Sequence, residues 1–110
     1  MEGFVKKTEL RLIINENDSF RGESLCRLIV EQAYKLKIAG ATVLKTKGGY
    51  GSRHRIHTMQ VLRLSADMPV VISMIDDFEK LKPIIEYIKE RNKGGLLSLQ
   101  DIWVSEKQND

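Results

Sequence analysis

The stretch that decides the fold is Val70-Val71-Ile72-Ser73-Met74-Ile75. Because it is almost wholly apolar, it predicts a central strand that is buried on both faces of a sheet. A second strand is predicted from Thr8 to Asn15, where the side chains of two faces alternate. One face carries Leu10, Leu12 and Ile14, and the other carries Glu9, Arg11 and Ile13. These two segments are the most apolar of the predicted strands, which fits two central positions in one sheet.

Two amphipathic helices are predicted. The first runs from Glu23 to Ile38 and has one apolar stripe at i, i+3, i+4, i+8 and i+11, formed by Leu25, Leu28, Ile29, Ala33 and Leu36. Gly40 is its predicted stop, because glycine adopts the left-handed conformation without a steric penalty. The second helix is predicted to be capped by Asp76 or Asp77 and to end at Asn92-Lys93-Gly94-Gly95, with Phe78, Leu81, Ile85 and Ile88 on one face. Pro83 leaves two alternatives open, a helix that starts near Lys82 or a helix kinked at the proline.

Further strands are predicted from Ala41 to Lys47 and from Asp101 to Ser105, with an extended piece from Met59 to Leu64. The order strand, helix, strand, strand, helix, strand is that of the ferredoxin-like βαββαβ sandwich. This is an α+β fold in which two helices cover one face of an antiparallel sheet. Residues 1–110 are predicted to form a single domain with an ordered core over about residues 8–105. The second face would be half apolar, which predicts that another subunit covers it; its residues would be Arg11, Ile13, Val71, Ser73, Ile75 and Trp103.

Composition narrows the class of protein. The single cysteine, Cys26, excludes an internal disulfide and is interpreted as a small core residue. No apolar run reaches the roughly 18 residues of a membrane span, so membrane insertion is not expected. The N-terminus shows no signal-peptide pattern, and a cytoplasmic protein is therefore expected. The net charge of +3 permits an acidic partner without requiring nucleic acid.

Positive charge is concentrated in one glycine-rich segment, Lys45 to Thr58. From Gly40 to Ala66 there is no Asp or Glu, whereas five basic residues occur there: Lys45, Lys47, Arg53, Arg55 and Arg63. These five charges exceed the net charge of the chain, so the remainder of the chain is net negative. Backbone N–H groups and cations together are what a phosphate or another anion requires. The alternative is a solvated hairpin loop whose charges maintain solubility.

Several ordered motifs are similar to those of a known family. They are Arg21-Gly22-Glu23-Ser24-Leu25, Gly40-Ala41-Thr42-Val43, Gly48-Gly49-Tyr50-Gly51, Arg55-Ile56-His57-Thr58 and the run from Leu64 to Ile72. The chain from about Thr8 to Val104 thereby resembles the PII-like family of small bacterial and archaeal proteins, a domain of unknown function related to nitrogen-regulatory PII proteins and to CutA proteins. The resemblance implies a homotrimer, which agrees with the half-apolar sheet face.

The resemblance also implies a regulatory function. Residues Lys47 to Thr58 would be a mobile loop that contacts a membrane-transport protein or an enzyme, and Arg91 to Gly95 would be a second phosphate loop. A small anionic ligand, with an adenine nucleotide as the candidate, would bind at clefts between subunits. The site residues are then Lys47, Gly48, Gly49, Gly51, Arg53, Arg55, His57, Thr58, Lys93, Gly94 and Gly95.

Other classes of function have weaker support in the residues. His54 and His57 could ligate a metal in a CutA-like protein, but no cysteine or carboxylate cluster completes a site. An RNA-binding module of this topology would need aromatic residues on the two central strands, which have none. A phosphate-cleaving enzyme of this fold would use the loop after the first strand, where Glu16 and Asp18 would repel phosphate. No catalytic set can be nominated, so an enzyme is not expected.

Overall fold

The structure, a computed structural model, describes residues 1–46 and 67–106. Along these residues the elements are β1 (Phe4–Asn15), β2 (Ser19–Phe20), β3 (Glu23–Ser24), α1 (Leu25–Lys35), β4 (Gly40–Lys45), β5 (Pro69–Asp76), α2 (Phe78–Arg91) and β6 (Leu96–Ser105). Four strands form an antiparallel sheet in the order β4-β5-β1-β6, and β2 pairs with β3 in a separate hairpin. The predicted ferredoxin-like α+β fold is confirmed, with β1 and β5 at the centre.

The hydrophobic core lies between the sheet and the two helices. The register places Leu10 opposite Met74 and Leu12 opposite Ile72, and all four side chains are fully buried. They pack against the apolar faces of α1 and α2, which contribute Ile29, Ala33, Leu81, Ile84 and Ile88. Full burial of one such side chain stabilises the fold by about 1.5–3 kcal/mol. The alternation along β1, together with the register of β5 against it, therefore matches the sheet face that the helices cover.

The second sheet face is called the open face and carries Glu9, Arg11, Ile13, Val71, Ser73 and Ile75. Val71, Ser73 and Ile75 are half-buried, so the prediction that β5 is buried on both faces is wrong for the single chain. Both helices lie on the other face, where they cover only the alternate residues of β5. Placing Trp103 on the open face is also wrong. It pairs with Lys6, in phase with Thr8 and Leu10, and therefore lies on the helix side.

Helix α1 begins and ends differently from its prediction. Glu23 and Ser24 belong to the small hairpin, and Ser24 Oγ accepts a hydrogen bond of 3.3 Å from Arg27 N, which caps the first turn. After Lys35 the residue with left-handed backbone is Lys37, at φ +59°. Gly40 is therefore not the stop that was predicted, and it is the first residue of β4 instead.

Helix α2 starts at Phe78, so Pro83 lies inside it and a start near Lys82 is wrong. Asp77 occupies the N-cap position, but its side chain forms no cap hydrogen bond and instead accepts one of 2.7 Å from Lys7 Nζ. This bond raises the pKa of Lys7 above its ordinary value. Asp76 is buried and accepts hydrogen bonds from Ala39 N at 2.8 Å and from Asp77 N at 2.7 Å. Asp76 therefore joins the start of α2 to the connection that leads into β4.

The last strand is longer than predicted, because β6 begins at Leu96 and Leu12 pairs with Leu97. The extended piece predicted from Met59 to Leu64 lies outside the described residues. Within residues 1–46 and 67–106, neither helix has the length and apolarity that a membrane crossing requires.

Candidate functional site

A cleft of about 680 Å³ opens at the end of the sheet where β1 ends and where β5 and β6 begin. Its size is within the range of about 300–1,000 Å³ that is common for small-molecule sites. Its walls come from the turn after β1, the β2–β3 hairpin, the residue before β5, and the end of α2 with the loop that follows. The lining residues are Asn17, Asp18, Ser19, Phe20, Arg21, Leu25, Asp67, Arg91, Asn92, Lys93 and Gly94.

Carboxylates organise the turn after β1. Asp18 Oδ2 accepts a hydrogen bond of 3.0 Å from Asn15 N, and Asp67 Oδ1 accepts one of 3.3 Å from Asn17 N. A short backbone bond of 2.7 Å from Glu16 N to Met68 O joins the same turn to the residues before β5. The short polar residues of this turn favour hydrogen bonds between their side chains and the nearby backbone. The result places two negatively charged groups, Asp18 and Asp67, along one part of the cleft.

The β2–β3 hairpin supplies Phe20 and Arg21. Its two central residues, Arg21 and Gly22, have φ values of +51° and +83°. Positive φ at both positions is the pattern of a type I′ turn, the tightest common connection between antiparallel strands. Because the hairpin is so short, the side chains next to its turn are fixed at the mouth of the cleft.

Two hydrogen bonds between Asn92 and Gly95 fix the conformation of the loop after α2. Asn92 Oδ1 accepts from Gly95 N at 2.7 Å, and Asn92 Nδ2 donates to Gly95 O at 3.1 Å. A Cβ on Gly95 would lie 2.9 Å from the backbone oxygen of Ile13 and 2.6 Å from Ile14 Cγ2. Gly95 is therefore required for the loop to pack against β1, and it is not among the cleft-lining residues. Lys93 and Gly94, by contrast, line the cleft.

Two arginines and two aromatic rings form what we call the arginine–aromatic stack, consisting of Arg21, Phe20, Arg91 and Tyr87. The guanidinium carbons of Arg21 and Arg91 lie 5.1 and 5.3 Å from the centroid of the Phe20 ring. Arg91 also lies 3.6 Å from the Tyr87 centroid and donates a hydrogen bond of 3.1 Å to Tyr87 O. Such contacts attract a guanidinium group to an aromatic ring and limit its movement.

The two ends of the segment 47–66 are joined beside this cleft. Thr46 donates two hydrogen bonds to Pro69 O, one of 3.3 Å from its backbone nitrogen and one of 2.7 Å from Oγ1. Asp67, the first described residue after the segment, lines the cleft. Lys45 of the basic segment lies 3.1 Å from the carboxylate of Glu16. The end of β4 and the start of β5 are therefore joined next to Asp67, which lines the cleft.

The predicted site residues divide into two groups. Lys93 and Gly94 are brought into the cleft, whereas most of the others lie outside the described residues: Lys47, Gly48, Gly49, Gly51, Arg53, Arg55, His57 and Thr58. Sequence reasoning did not nominate Phe20 and Arg21 as contacts, nor Asn17 and Asp67. A signal for the first pair was available, because a basic residue before glycine between two short polar stretches is a turn pattern that exposes its side chain.

Three other kinds of site can be compared with the described residues: a metal site, a reactive thiol and a nucleic-acid surface. Over residues 1–46 and 67–106, no three His, Cys, Asp or Glu side chains are grouped to hold a metal ion, and His54 and His57 lie outside this part of the chain. Burial raises the pKa of the Cys26 thiol, which keeps it protonated at neutral pH. The open-face positions of β1 and β5 named above include no aromatic side chain on which a base could stack.

Comparison with known proteins gives a consistent result. The sequence model of DUF190, described as Uncharacterized ACR, COG1993, matches residues 7–104. A UPF0166 protein of Aquifex aeolicus (strain VF5) is 36% identical over 100 residues, which are 91% of this chain and 94% of the relative. CPII from Thiomonas intermedia K12, bound to ADP and bicarbonate, superposes with a TM-score of 0.68 at 16% identity, over 94% of this chain and 92% of that chain.

A second structure of CPII, described as a nitrogen regulatory PII-like protein, is bound to ADP, AMP and bicarbonate. It superposes with a TM-score of 0.67 at 15% identity, over 96% of this chain and 99% of that chain. At such low identities the likeness shows that the fold is shared.

Proposed function

The chain belongs to the DUF190 (UPF0166) family, and on this premise we propose that it is a non-enzymatic PII-like regulatory protein that binds an adenine nucleotide in the cleft. Binding would change the surface that the chain presents to a partner protein. The observation that carries the proposal is the cleft itself, which combines cations, carboxylates and a glycine-containing loop in one cavity of suitable size. CPII, with the same fold, has been crystallised with ADP and AMP.

The mixed charge of the cleft favours a nucleotide over a simple anion. Arg21, Arg91 and Lys93 can bind phosphate oxygens through charge-assisted hydrogen bonds. Asp18 and Asp67 can accept hydrogen bonds from the ribose hydroxyls or from the base amino group. An inorganic anion would use only the cationic part.

The loop at Lys93 and Gly94 is the proposed site of the first phosphate. Lys93 provides a flexible cation, and the lack of a side chain on Gly94 lets backbone approach the ligand closely. Asn92 and the packing of Gly95 hold this loop in place before the ligand binds. A preformed loop reduces the ordering cost of binding.

The segment 47–66 is the proposed route from ligand to partner. The residues that flank it lie beside the cleft, so the proposed contacts of a bound nucleotide include Lys47, Gly48, Gly49, Gly51, Arg53, Arg55, His57 and Thr58. The proposed partner is a membrane-transport protein or an enzyme.

Replacing Arg53 and Arg55 together with alanine should weaken ligand or partner binding several-fold, with little change in fold stability. Calorimetry on the double variant checks this, and unchanged affinity would point away from these arginines.

We also propose a homotrimer in which the open faces of three copies are covered. The support is that Ile13, Val71 and Ile75 are only half-buried, and that Leu44, paired with Val71 on the same face, is 56% exposed. A contiguous apolar surface of this kind is typical of an interface. Light scattering should give the mass of three chains at micromolar concentration, and the mass of one chain would contradict the proposal.

The experiment for nucleotide binding is calorimetric titration with ADP, AMP and cyclic AMP at fixed salt concentration. We expect the variant Lys93→Gln to lower the affinity for ADP about fivefold to tenfold, the size of one lost charge-assisted contact. Lys35→Gln is the matched control, because Lys35 is exposed on α1 and does not line the cleft. Absence of binding by all three nucleotides at millimolar concentration would overturn the proposed function.

A further inference from the structure

The arginine–aromatic stack contains a residue in an unfavourable backbone conformation. Arg21 lies in the first central position of the hairpin turn at φ +51°. Residues with a Cβ rarely adopt this conformation, and Asn, Asp or Gly is the usual choice in such a turn. The turn thus has an arginine at a position whose backbone conformation disfavours residues with a Cβ, and the arginine side chain lines the cleft. Strain of this kind is often associated with a functional contact.

The stack determines where the two guanidinium groups lie. The guanidinium carbons of Arg21 and Arg91 lie 5.1 and 5.3 Å from the centroid of the same Phe20 ring, so both charges are close to one side chain. Arg91 is additionally fixed by the Tyr87 ring and the Tyr87 carbonyl oxygen. Two permanently charged groups are therefore held near each other in the absence of a ligand, and an anion between or beside them would relieve their repulsion.

The guanidinium groups provide a positive site in addition to the loop after α2. Arg91 lies 3.5 Å from the carboxylate of Glu90 and its side chain is 24% exposed, so part of its charge is already balanced. Arg21 is exposed at the mouth of the cleft. Guanidinium groups bind phosphate through two parallel hydrogen bonds, which a lysine cannot provide. The cleft thus offers two kinds of phosphate contact, Lys93 with Gly94 and Arg21 with Arg91.

We infer that Arg21 and Arg91 form a clamp for the second phosphate of a nucleotide whose first phosphate is bound at Lys93 and Gly94. The inference rests on the proposed function, because it concerns which nucleotides the same cleft prefers. The clamp makes the site selective for nucleoside di- and triphosphates over monophosphates. Phe20 and Tyr87 are positioning residues, since they hold the two arginines and need not contact the ligand.

The test compares the affinities of the full chain for ADP and AMP by calorimetry, in the wild type and in Arg21→Asn. Asparagine is well accepted in the left-handed turn, so the hairpin should fold. We expect the wild type to bind ADP more tightly, and the ratio of ADP to AMP affinity to fall about tenfold in the variant. Arg27→Asn is the matched control, because Arg27 lies on α1, pairs with Glu23 and Glu31, and is not a lining residue. Its ratio should equal that of the wild type.

A second variant separates geometry from charge. Arg91→Lys retains the positive charge but loses the planar fork and its stacking between Phe20 and Tyr87. We expect the ratio of ADP to AMP affinity to fall in this variant as well. A ratio equal to the wild-type ratio would mean that charge alone operates and would overturn the clamp as a two-arginine geometry.

The outcomes distinguish this inference from the proposed function. If nucleotides bind and Arg21→Asn leaves the ratio unchanged, the clamp is wrong and the proposed function stands. If the wild type binds neither nucleotide, the proposed function fails, and titration with pyrophosphate and orthophosphate tests the clamp alone. Tighter binding of pyrophosphate that Arg21→Asn weakens would support it, and the absence of that difference would overturn it.

Discussion

The two faces of the sheet are built from the same strands and differ in how far one chain completes them. On the helix side, Leu10, Leu12, Ile72 and Met74 are fully buried within one apolar cluster. On the open face, half-buried apolar residues surround a polar group centred on Glu9. Its carboxylate accepts hydrogen bonds from Ser73 Oγ at 2.7 Å and from Gln100 Nε2 at 2.5 Å.

This difference shows that alternate residues of one strand form two surfaces, of which the helices cover only one. The helix side has its partner within the chain, because α1 and α2 present matching apolar faces. The open face has a composition between that of a core and that of a solvated surface. Its polar group has a defined geometry, because Ser73 and Gln100 both donate hydrogen bonds to Glu9. We therefore expect substitutions on the two faces to affect different properties of the protein.

The largest effect is expected for Ile72→Ala on the helix side. Ile72 is fully buried, and removing its side chain leaves a cavity that should lower the free energy of unfolding by about 2–5 kcal/mol. The matched control is Ile75→Ala on the same strand, whose side chain is half-buried on the open face. Urea unfolding at low protein concentration measures both variants. Equal losses for the two variants in a monomeric sample would contradict the difference between the faces.

Much of this arrangement could be predicted from the sequence, because period-two alternation is a local property. Alternation along β1 assigned Leu10 and Ile13 to opposite faces, whereas the apolar run of β5 and the order of the elements identified β1 and β5 as the central strands. Trp103 was placed on the wrong face, since its side depends on the register of β6 against β1, which no local pattern encodes. The β2–β3 hairpin was missed because strands of two residues have no measurable period.

The second prediction concerns Val71→Lys, at the centre of the open face. Val71 is paired with Ile13 on one side and Leu44 on the other, and a charge there would be buried without a partner wherever copies pack together. We expect association to weaken at least about tenfold, while the circular dichroism of the folded chain is retained. Light scattering across a dilution series measures the mass.

Tyr34→Lys is the control for this substitution. Tyr34 is 86% exposed on α1, so the variant gains the same charge on the outer surface of the helix layer. Its mass should equal that of the wild type at every concentration. If Val71→Lys also kept the wild-type mass, the open face would not be the surface through which copies associate.

The candidate site was less predictable than the fold. Lys93 and Gly94 were nominated through the resemblance to PII-like proteins, which implies a phosphate loop at Arg91 to Gly95. Phe20 and Arg21 were not nominated: the turn pattern is visible in sequence, but the contact of the Phe20 ring with Arg91, from a distant part of the chain, is not. Gly95 was expected to contact the ligand, and the structure shows a steric requirement for glycine at that position, against Ile13 and Ile14.

The smallest effect is expected for Glu9→Gln in the polar group of the open face. The hydrogen bonds from Ser73 and Gln100, together with the nearby Arg11, hold the pKa of Glu9 below its ordinary value of 4.5. A carboxyl group with a lowered pKa in the folded state stabilises the fold above its ordinary pKa, and this contribution is lost as the pH falls from 4.5 through the folded pKa. The variant should lose up to about 1.5 kcal/mol at pH 7, the value of one hydrogen bond to a charged group.

The sign of the pH dependence is what identifies the charge of Glu9 as the cause. Because the wild type loses the contribution of Glu9 in acid, the difference in unfolding free energy between wild type and Glu9→Gln should shrink as the pH is lowered below 4.5. Urea unfolding at pH 7 and at successive lower values measures this difference. Glu86→Gln, at an exposed position of α2, serves as the control and should change stability little. A difference for Glu9→Gln that persists undiminished in acid would mean that the shape of the side chain, and not its charge, organises the open face.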